Sequence, residues 1–186
     1  MYHIKKDKRC VKSADAIVAA IEQLLEQKGF MEITVSDIQR ASGVGRSTFY
    51  RLFDTIDDVV TLVMDKTFEE ILCYYERLSF KDFTVHWLET IIASSNRLMN
   101  IMGSGRSDLI VRSFRRNLQN AFVAEAEESL KDAYYNFAAF AGTCTSVIAT
   151  WDELGRKESI EELADIILMS LNIDQITGSG SLAGGR

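Results

Sequence analysis

The chain has 186 residues and a mass of 21.0 kDa; it is 47% hydrophobic and 26% charged, with a net charge of −6. That is the balance of a globular protein, which excludes a disordered chain, and no apolar run approaches the ~18 residues a membrane span needs. The basic opening, residues 1–9, leads into no signal-peptide core, so the protein is expected in the cytoplasm and away from membranes.

Cys10, Cys73 and Cys144 are far apart without a CxxC pair, and His3 and His86 are the two histidines. Neither a disulfide framework nor a His/Cys metal site is expected, and no cofactor is implied. Proline is absent, and most of the 11 glycines fall at segment ends, a pattern that favours an all-α protein. Charge is uneven. Residues 1–53 carry nine Lys/Arg against six Asp/Glu, a net of +3, and the remainder carries 12 against 21, a net of −9. A basic head on an acidic body suggests that only the head meets a polyanion.

The first predicted helix covers residues 13–28, with Ser13 as N-cap, a stripe of Ile17, Ala20, Ile21, Leu24 and Leu25, and Gly29 past its end. Thr34 and Asp37 form a capping-box start to a short second helix whose apolar face is Val35, Ile38 and Ala41. Gly43 and Gly45 break it. A third segment, residues 46–53, turns Phe49, Leu52 and Phe53 inward and Arg46, Ser47, Thr48, Tyr50 and Arg51 outward. Next come a helix from Thr55 to about residue 78, another over residues 83–102 ended by Gly103 and Gly105, and a helical run over 107–154. At about 48 residues that run is too long for one helix in so small a domain, so a bend is expected near 128–131. Ser159 and Glu162 open a last helix through Leu171, and residues 177–186 are a Gly/Ser-rich flexible tail.

Two short helices joined by a glycine turn, the second crowded with polar residues, match a helix-turn-helix. Such a helix fits the major groove, where arginine grips guanine and hydroxyls bond bases or phosphates. The segment from Gly29 to Val59, above all Gly43-Val44 followed by Thr48-Phe49-Tyr50-Arg51 and Phe53, resembles the signature of the TetR/AcrR family of transcriptional regulators. The resemblance covers residues 12–65. It implies an N-terminal three-helix helix-turn-helix head (10–56), a larger helical ligand-binding and dimerisation body (57–176) and a homodimer through the last two helices. Position by position, Thr34 caps the second helix, Arg46 and Ser47 occupy base-reading positions, Thr48 lies in the recognition helix, Tyr50 matches a phosphate-bonding tyrosine and Arg51 follows it. These six are the candidate DNA-binding residues. Three positions depart from the family: Gly45 replaces a Ser/Thr cap, Leu52 a common histidine, and Ile56 a phosphate-donating lysine. The basic residues Lys5, Lys6, Lys8, Arg9 and Lys12 are either an arm reaching DNA or a solvated terminus.

The resemblance also implies a small-molecule effector site in the body, with Trp87, Met99, Phe114, Phe122 and Tyr134 as candidate lining; for any one of them plain core is the more common reading. Arg112, Arg115 and Arg116 suit an anionic effector or a solvated face, and Cys73 and Cys144 are possible oxidant targets without a sign of activation. Small residues from Ala138 to Ala149 and the seam Ile160, Leu163, Ile166, Ile167 and Leu171 allow a two-fold four-helix bundle or packing within one chain. The expected protein is therefore not an enzyme but a ligand-responsive homodimeric regulator, a repressor, on a palindromic double-stranded DNA operator with half-sites about 34 Å or a multiple apart. The alternatives are a same-fold activator or interaction protein controlled by a protein partner. A helical enzyme finds no nucleophile–base pair, metal cluster or phosphate loop.

Overall fold

Helix starts in this chain are written in side-chain oxygens, and the computed structural model, which describes residues 2–4, 7–73, 78–122 and 130–171, shows where they act. Its helices are α1 (Lys8–Gln27), α2 (Val35–Ser42), α3 (Arg46–Leu52), α4 (Ile56–Leu72), α5 (Phe80–Ala93), α6 (Ser95–Gly103), α7 (Ser107–Phe122), α8 (Leu130–Glu153) and α9 (Ile160–Ser170), with a 3-10 turn at Phe30–Glu32. The fold is all-α, as expected, and the described residues contain no strand, only an isolated bridge between Tyr2 and Phe53.

The capping boxes lie where the sequence puts them. At α2, Asp37 N–H donates to Thr34 Oγ1 at 3.2 Å and Thr34 N–H to Asp37 Oδ2 at 3.0 Å. At α9, Glu162 N–H donates to Ser159 Oγ at 3.2 Å and Ser159 N–H to Glu162 Oε2 at 2.8 Å. Each pair satisfies orphan amides that a helix start leaves open.

Other boundaries correct the sequence reading. α1 begins at Lys8, not residue 13, because Asp7 caps it by accepting from the N–H groups of Arg9 and Cys10 at 3.0 Å. Lys8, Arg9 and Lys12 therefore belong to a helix rather than to a loose arm, while Lys5 and Lys6 lie outside the described residues. Ala41, assigned to the buried face of α2, is exposed. α4 ends at Leu72 rather than near residue 78. The helix expected over 83–102 is two, α5 and α6, parted at Ser94; α5 begins earlier, after its cap Ser79. Of the bend expected at 128–131, residues 128 and 129 lie outside the described residues and 130 and 131 open α8; α7 and α8 pack against each other, which one straight helix could not do. The tail 177–186 lies outside them too.

α1 packs on α2, α3, α4 and α6, so the N-terminal helices are continuous with the rest. α4 runs from the end of α3 into the body and lies on α7; α7 packs on α8, and α5 and α8 on α9. One buried cluster threads both regions, from Ile17, Ile21, Ile38, Phe49, Leu52 and Phe53 to Phe68, Trp87, Phe114 and Ile167. At ~25 cal/mol per Å2 of apolar surface, each such side chain contributes about 1.5–3 kcal/mol. No helix among the described residues is long and apolar enough to cross a membrane.

Candidate nucleic-acid interface

Helix α3 is seven residues long, too short to be stable by propensity, so its packing decides where its side chains point. Phe49, Leu52 and Phe53 are fully buried, with the Phe49 and Phe53 rings 5.8 Å apart. Helical spacing then turns the intervening residues out. Arg46, Ser47 and Arg51 are exposed, Tyr50 is 45% exposed, and Thr48 is half-buried. Five of the six candidate DNA-binding residues thus lie on one short helix. The Tyr50 ring meets Phe49 edge-on at 5.4 Å, and the Arg46 guanidinium lies over the Tyr50 face, 5.5 Å from its centroid. That stack restrains Arg46 while leaving its donors outward.

α2 braces this helix. Gly43 ends α2 with φ +70, a left-handed conformation costly for a residue with a Cβ, and its N–H donates to Gln39 O at 2.9 Å. Lys28 Nζ reaches Asp37 at 2.6 Å, and together with the Thr34 hydroxyl and N–H it holds the Asp37 carboxyl well below the usual carboxylate range. Thr34 is exposed, but its hydroxyl donates to Asp37 at 2.6 Å and so serves the cap first. The three family departures each have a structural place. Gly45, the N-cap of α3, supplies no side-chain hydrogen bond; Leu52 is fully buried; Ile56 is half-buried against the core at the start of α4.

Three features the sequence reading missed tie this head down. The Asn100 amide on α6 accepts from Phe30 N–H at 2.7 Å and donates to the carbonyls of Leu25 at 2.8 Å and Lys28 at 2.7 Å, capping the end of α1. Asp65, 4% exposed in the middle of α4, accepts from Tyr2 Oη at 2.9 Å, from Asn117 Nδ2 at 2.8 Å, from Ser113 Oγ and from Arg116. Burial pushes this carboxyl up, but the Arg116, Ser113 and Tyr2 donors outweigh it and hold Asp65 below its ordinary value. The Tyr2 phenol is pushed up to about 12, by burial and then by the Asp65 carboxylate. The third feature is Tyr2–His3 itself, lying along the end of α3. A carboxylate directly after the mostly apolar run Val59 to Met64 was the available signal for Asp65; nothing local marks Tyr2 or Asn100.

In the body, Trp87 stacks on Phe114 at 5.0 Å and Phe114 on Phe68 at 4.6 Å, nearly parallel, all three buried. The structure thus brings together two of the five residues assigned to an effector. Met99 is half-buried against the core, Tyr134 is 42% exposed on α8, and the side chain of Phe122, the last residue of α7, lies outside the described ones. The Trp87 indole N–H is buried with no hydrogen-bond partner among the described residues. Of the three arginines on α7, Arg112 pairs with Asp108 and Arg116 with Asp65, which accounts for two of them within the fold. Cys144 is buried, its thiol pushed up by desolvation, and Cys73 is exposed. Among the described residues no group of three or more His, Cys, Asp or Glu side chains could hold a metal.

A three-helix head with a polar-faced second helix of the motif, joined through a long helix to a helical body, has the layout of a helix-turn-helix domain carried on an all-helical body. Residues 17–63 match the family of bacterial regulatory proteins called the tetR family. The HTH-type transcriptional regulator EthR of Mycolicibacterium smegmatis is 40% identical over 50 residues, 27% of this chain, and the match spans only 23% of that relative's length. Two solved structures share the fold over nearly the whole chain. Lin0861 from Listeria innocua has a TM-score of 0.73 at 19% identity, covering 92% of this chain and 95% of its own. A TetR transcriptional regulator from Streptococcus agalactiae has a TM-score of 0.63 at 18% identity, covering 89% and 97%. The likeness to the tetR family in sequence thus lies in the head of the chain, and the likeness of the body is one of fold.

Proposed function

We propose that the protein is a homodimeric DNA-binding transcriptional regulator, a repressor released by a small-molecule effector. The observation that carries the DNA reading is the outer face of α3, where Arg46, Ser47, Tyr50 and Arg51 are exposed above the fully buried Phe49 and Leu52. Arg46 and Arg51 supply donors for guanine edges or phosphates, the hydroxyls of Ser47 and Thr48 supply adaptable bonds, and Tyr50 reaches phosphate. Lys8, Arg9 and Lys12 on α1 add positive charge to the same head, of the kind that gives binding a strong salt dependence. Thr34 contributes by fixing the helix that supports α3. In this reading residues 10–56 read DNA and 57–176 regulate and dimerise.

Support for a dimer comes from α8 and α9. Leu154, Ile166 and Met169 stay exposed at 58%, 42% and 81%, while Leu163 and Ile167 face the chain's own core. The exposed side of that pair suits a second copy about a two-fold axis, which would present two α3 helices to successive grooves. Support for an effector comes from the Trp87 N–H within the Phe68–Phe114–Trp87 stack, which has no partner among the described residues and is a donor that a ligand acceptor atom would satisfy.

The test is an electrophoretic shift on the DNA upstream of the protein's own gene, with the wild type and with Arg46→Ala plus Tyr50→Phe. The wild type is expected to shift that fragment and the double variant to need at least ~30-fold more protein, at an unchanged unfolding midpoint. No shift at low salt, or one that ignores both substitutions, overturns the reading.

A further inference from the structure

We propose that Tyr2 is a positioning residue, the end of an N-terminal strap that fixes the recognition helix α3 against the body through Asp65. The proposal rests on the reading of α3 as the DNA-contacting helix for its consequence, though not for its mechanics.

The strap begins where α3 stops. The last carbonyls of a helix lack partners in their own helix, and the Leu52 carbonyl is satisfied from outside by His3 N–H at 2.8 Å. Tyr2 pairs antiparallel with Phe53, and the His3 ring reaches the Asp54 carboxylate at 3.1 Å. Backbone and side-chain bonds therefore hold the last turn of α3 and the short link into α4. From there the Tyr2 side chain crosses to the body. Its hydroxyl donates to Asp65 Oδ2 at 2.9 Å, 63 residues away in the sequence.

Asp65 is the anchor that gives the strap its grip. Asn117 and Ser113 on α7 satisfy one oxygen, Asp65 Oδ1, while Tyr2 and Arg116 share the other. The anchor thereby joins α4, α7 and the N-terminal segment. A buried carboxylate keeps its charge only where donors surround it, so loss of the phenol removes one of four and leaves the strap without its charge-assisted bond. Such a bond holds more strongly than a neutral one, and the remaining three keep the anchor charged and in place. The core around Phe49 and Phe53 is untouched by the change. The direct covalent route from α3 to α4 is three residues, Phe53 to Thr55, so restraint of that link sets the angle at which α3 leaves the body. Two heads held at a defined angle read one half-site separation in preference to others.

The experiment compares the full-length wild type with Tyr2→Phe and, as a second route to the same bond, Asp65→Asn. Amide hydrogen exchange over residues 49–56 reads the mechanics without DNA. Loss of the charge-assisted bond is expected to speed exchange there by about tenfold in Tyr2→Phe, with α8 and α9 unchanged and the global unfolding midpoint preserved. Binding to the upstream fragment, and to duplexes with its half-sites moved apart by one or two base pairs, reads the consequence. The wild type is expected to discriminate sharply among spacings and Tyr2→Phe to discriminate at least ~threefold less, an effect that a mere loss of stability would not produce. Unchanged exchange over 49–56 in Tyr2→Phe overturns the strap, as does an unchanged spacing preference in a wild type that binds. If the wild type binds no duplex, the DNA reading of α3 fails, and the exchange result alone decides the strap. If Asp65→Asn does not fold, Tyr2→Phe still gives both readouts, because it removes one oxygen from a half-buried side chain.

Discussion

The two helices of the motif, α2 and α3, are held by opposite means. α2 is secured locally: Thr34 and Asp37 close a capping box at its start, Lys28 anchors Asp37, and Gly43 closes its end. α3 has none of this. Its N-cap Gly45 offers no side chain, and its seven residues make only about two turns. It stays helical because Phe49 and Leu52 are buried and because partners distant in the chain hold its exit. Helix α2 is thus a local structure, and α3 a tertiary one. That division leaves the outer face of α3 free of capping and anchoring duties, as the proposed role in DNA recognition requires.

The largest perturbation that tests this contrast is Phe49→Ala. Removal of a fully buried ring whose neighbours are Phe53 and Tyr50 is expected to cost about 3–5 kcal/mol, measured by urea unfolding, and to melt α3 first. A loss below about 1 kcal/mol would show that α3 does not depend on its core contacts.

Asp37→Asn is smaller and acts on α2. It removes the carboxylate that serves Lys28 and Thr34, so the unfolding midpoint should drop at pH 7. Because the folded carboxyl titrates below its ordinary value, its stabilisation is complete above the unfolded value of about 3.9 and fades as the pH falls from there toward the folded one. The gap between wild type and variant should therefore close in acid. A gap independent of pH would mean that the charge of Asp37 is not what secures the helix.

The smallest expected effect runs the other way. Gly45 sits at φ −68, ψ 153, a conformation open to any residue, with nothing within 4 Å of a Cβ placed there. Gly45→Ser should add a cap to α3 and stabilise the protein by about 0.5 kcal/mol. If instead it destabilises, the uncapped start of α3 has a structural reason that the contacts around it do not show.

Much of this was readable in the sequence because much of it is local. Capping boxes at Thr34 and Ser159 announce themselves at a spacing of three residues, and the i, i+3, i+4 pattern of Phe49, Leu52 and Phe53 sets which side of α3 is buried. The misplaced starts came from competing local signals. Ser13 resembles an N-cap, but Asp7 had already started the helix, and the apolar run through Ser94 hid a break between α5 and α6.

The sequence by itself determined an all-helical chain, the identity of the head and the outward set on α3, since side-chain period and capping chemistry act within a few residues. Only the tertiary structure decided that Tyr2, Asp65, Ser113, Arg116 and Asn117 meet at one buried carboxylate, and that Asn100 closes the end of α1. Those contacts span 48 to 75 residues. A donor and an acceptor so far apart leave no periodic trace in the chain; their pairing is set by how the helices cross, and the cost of burying Asp65 is met by donors that only the folded chain brings to it.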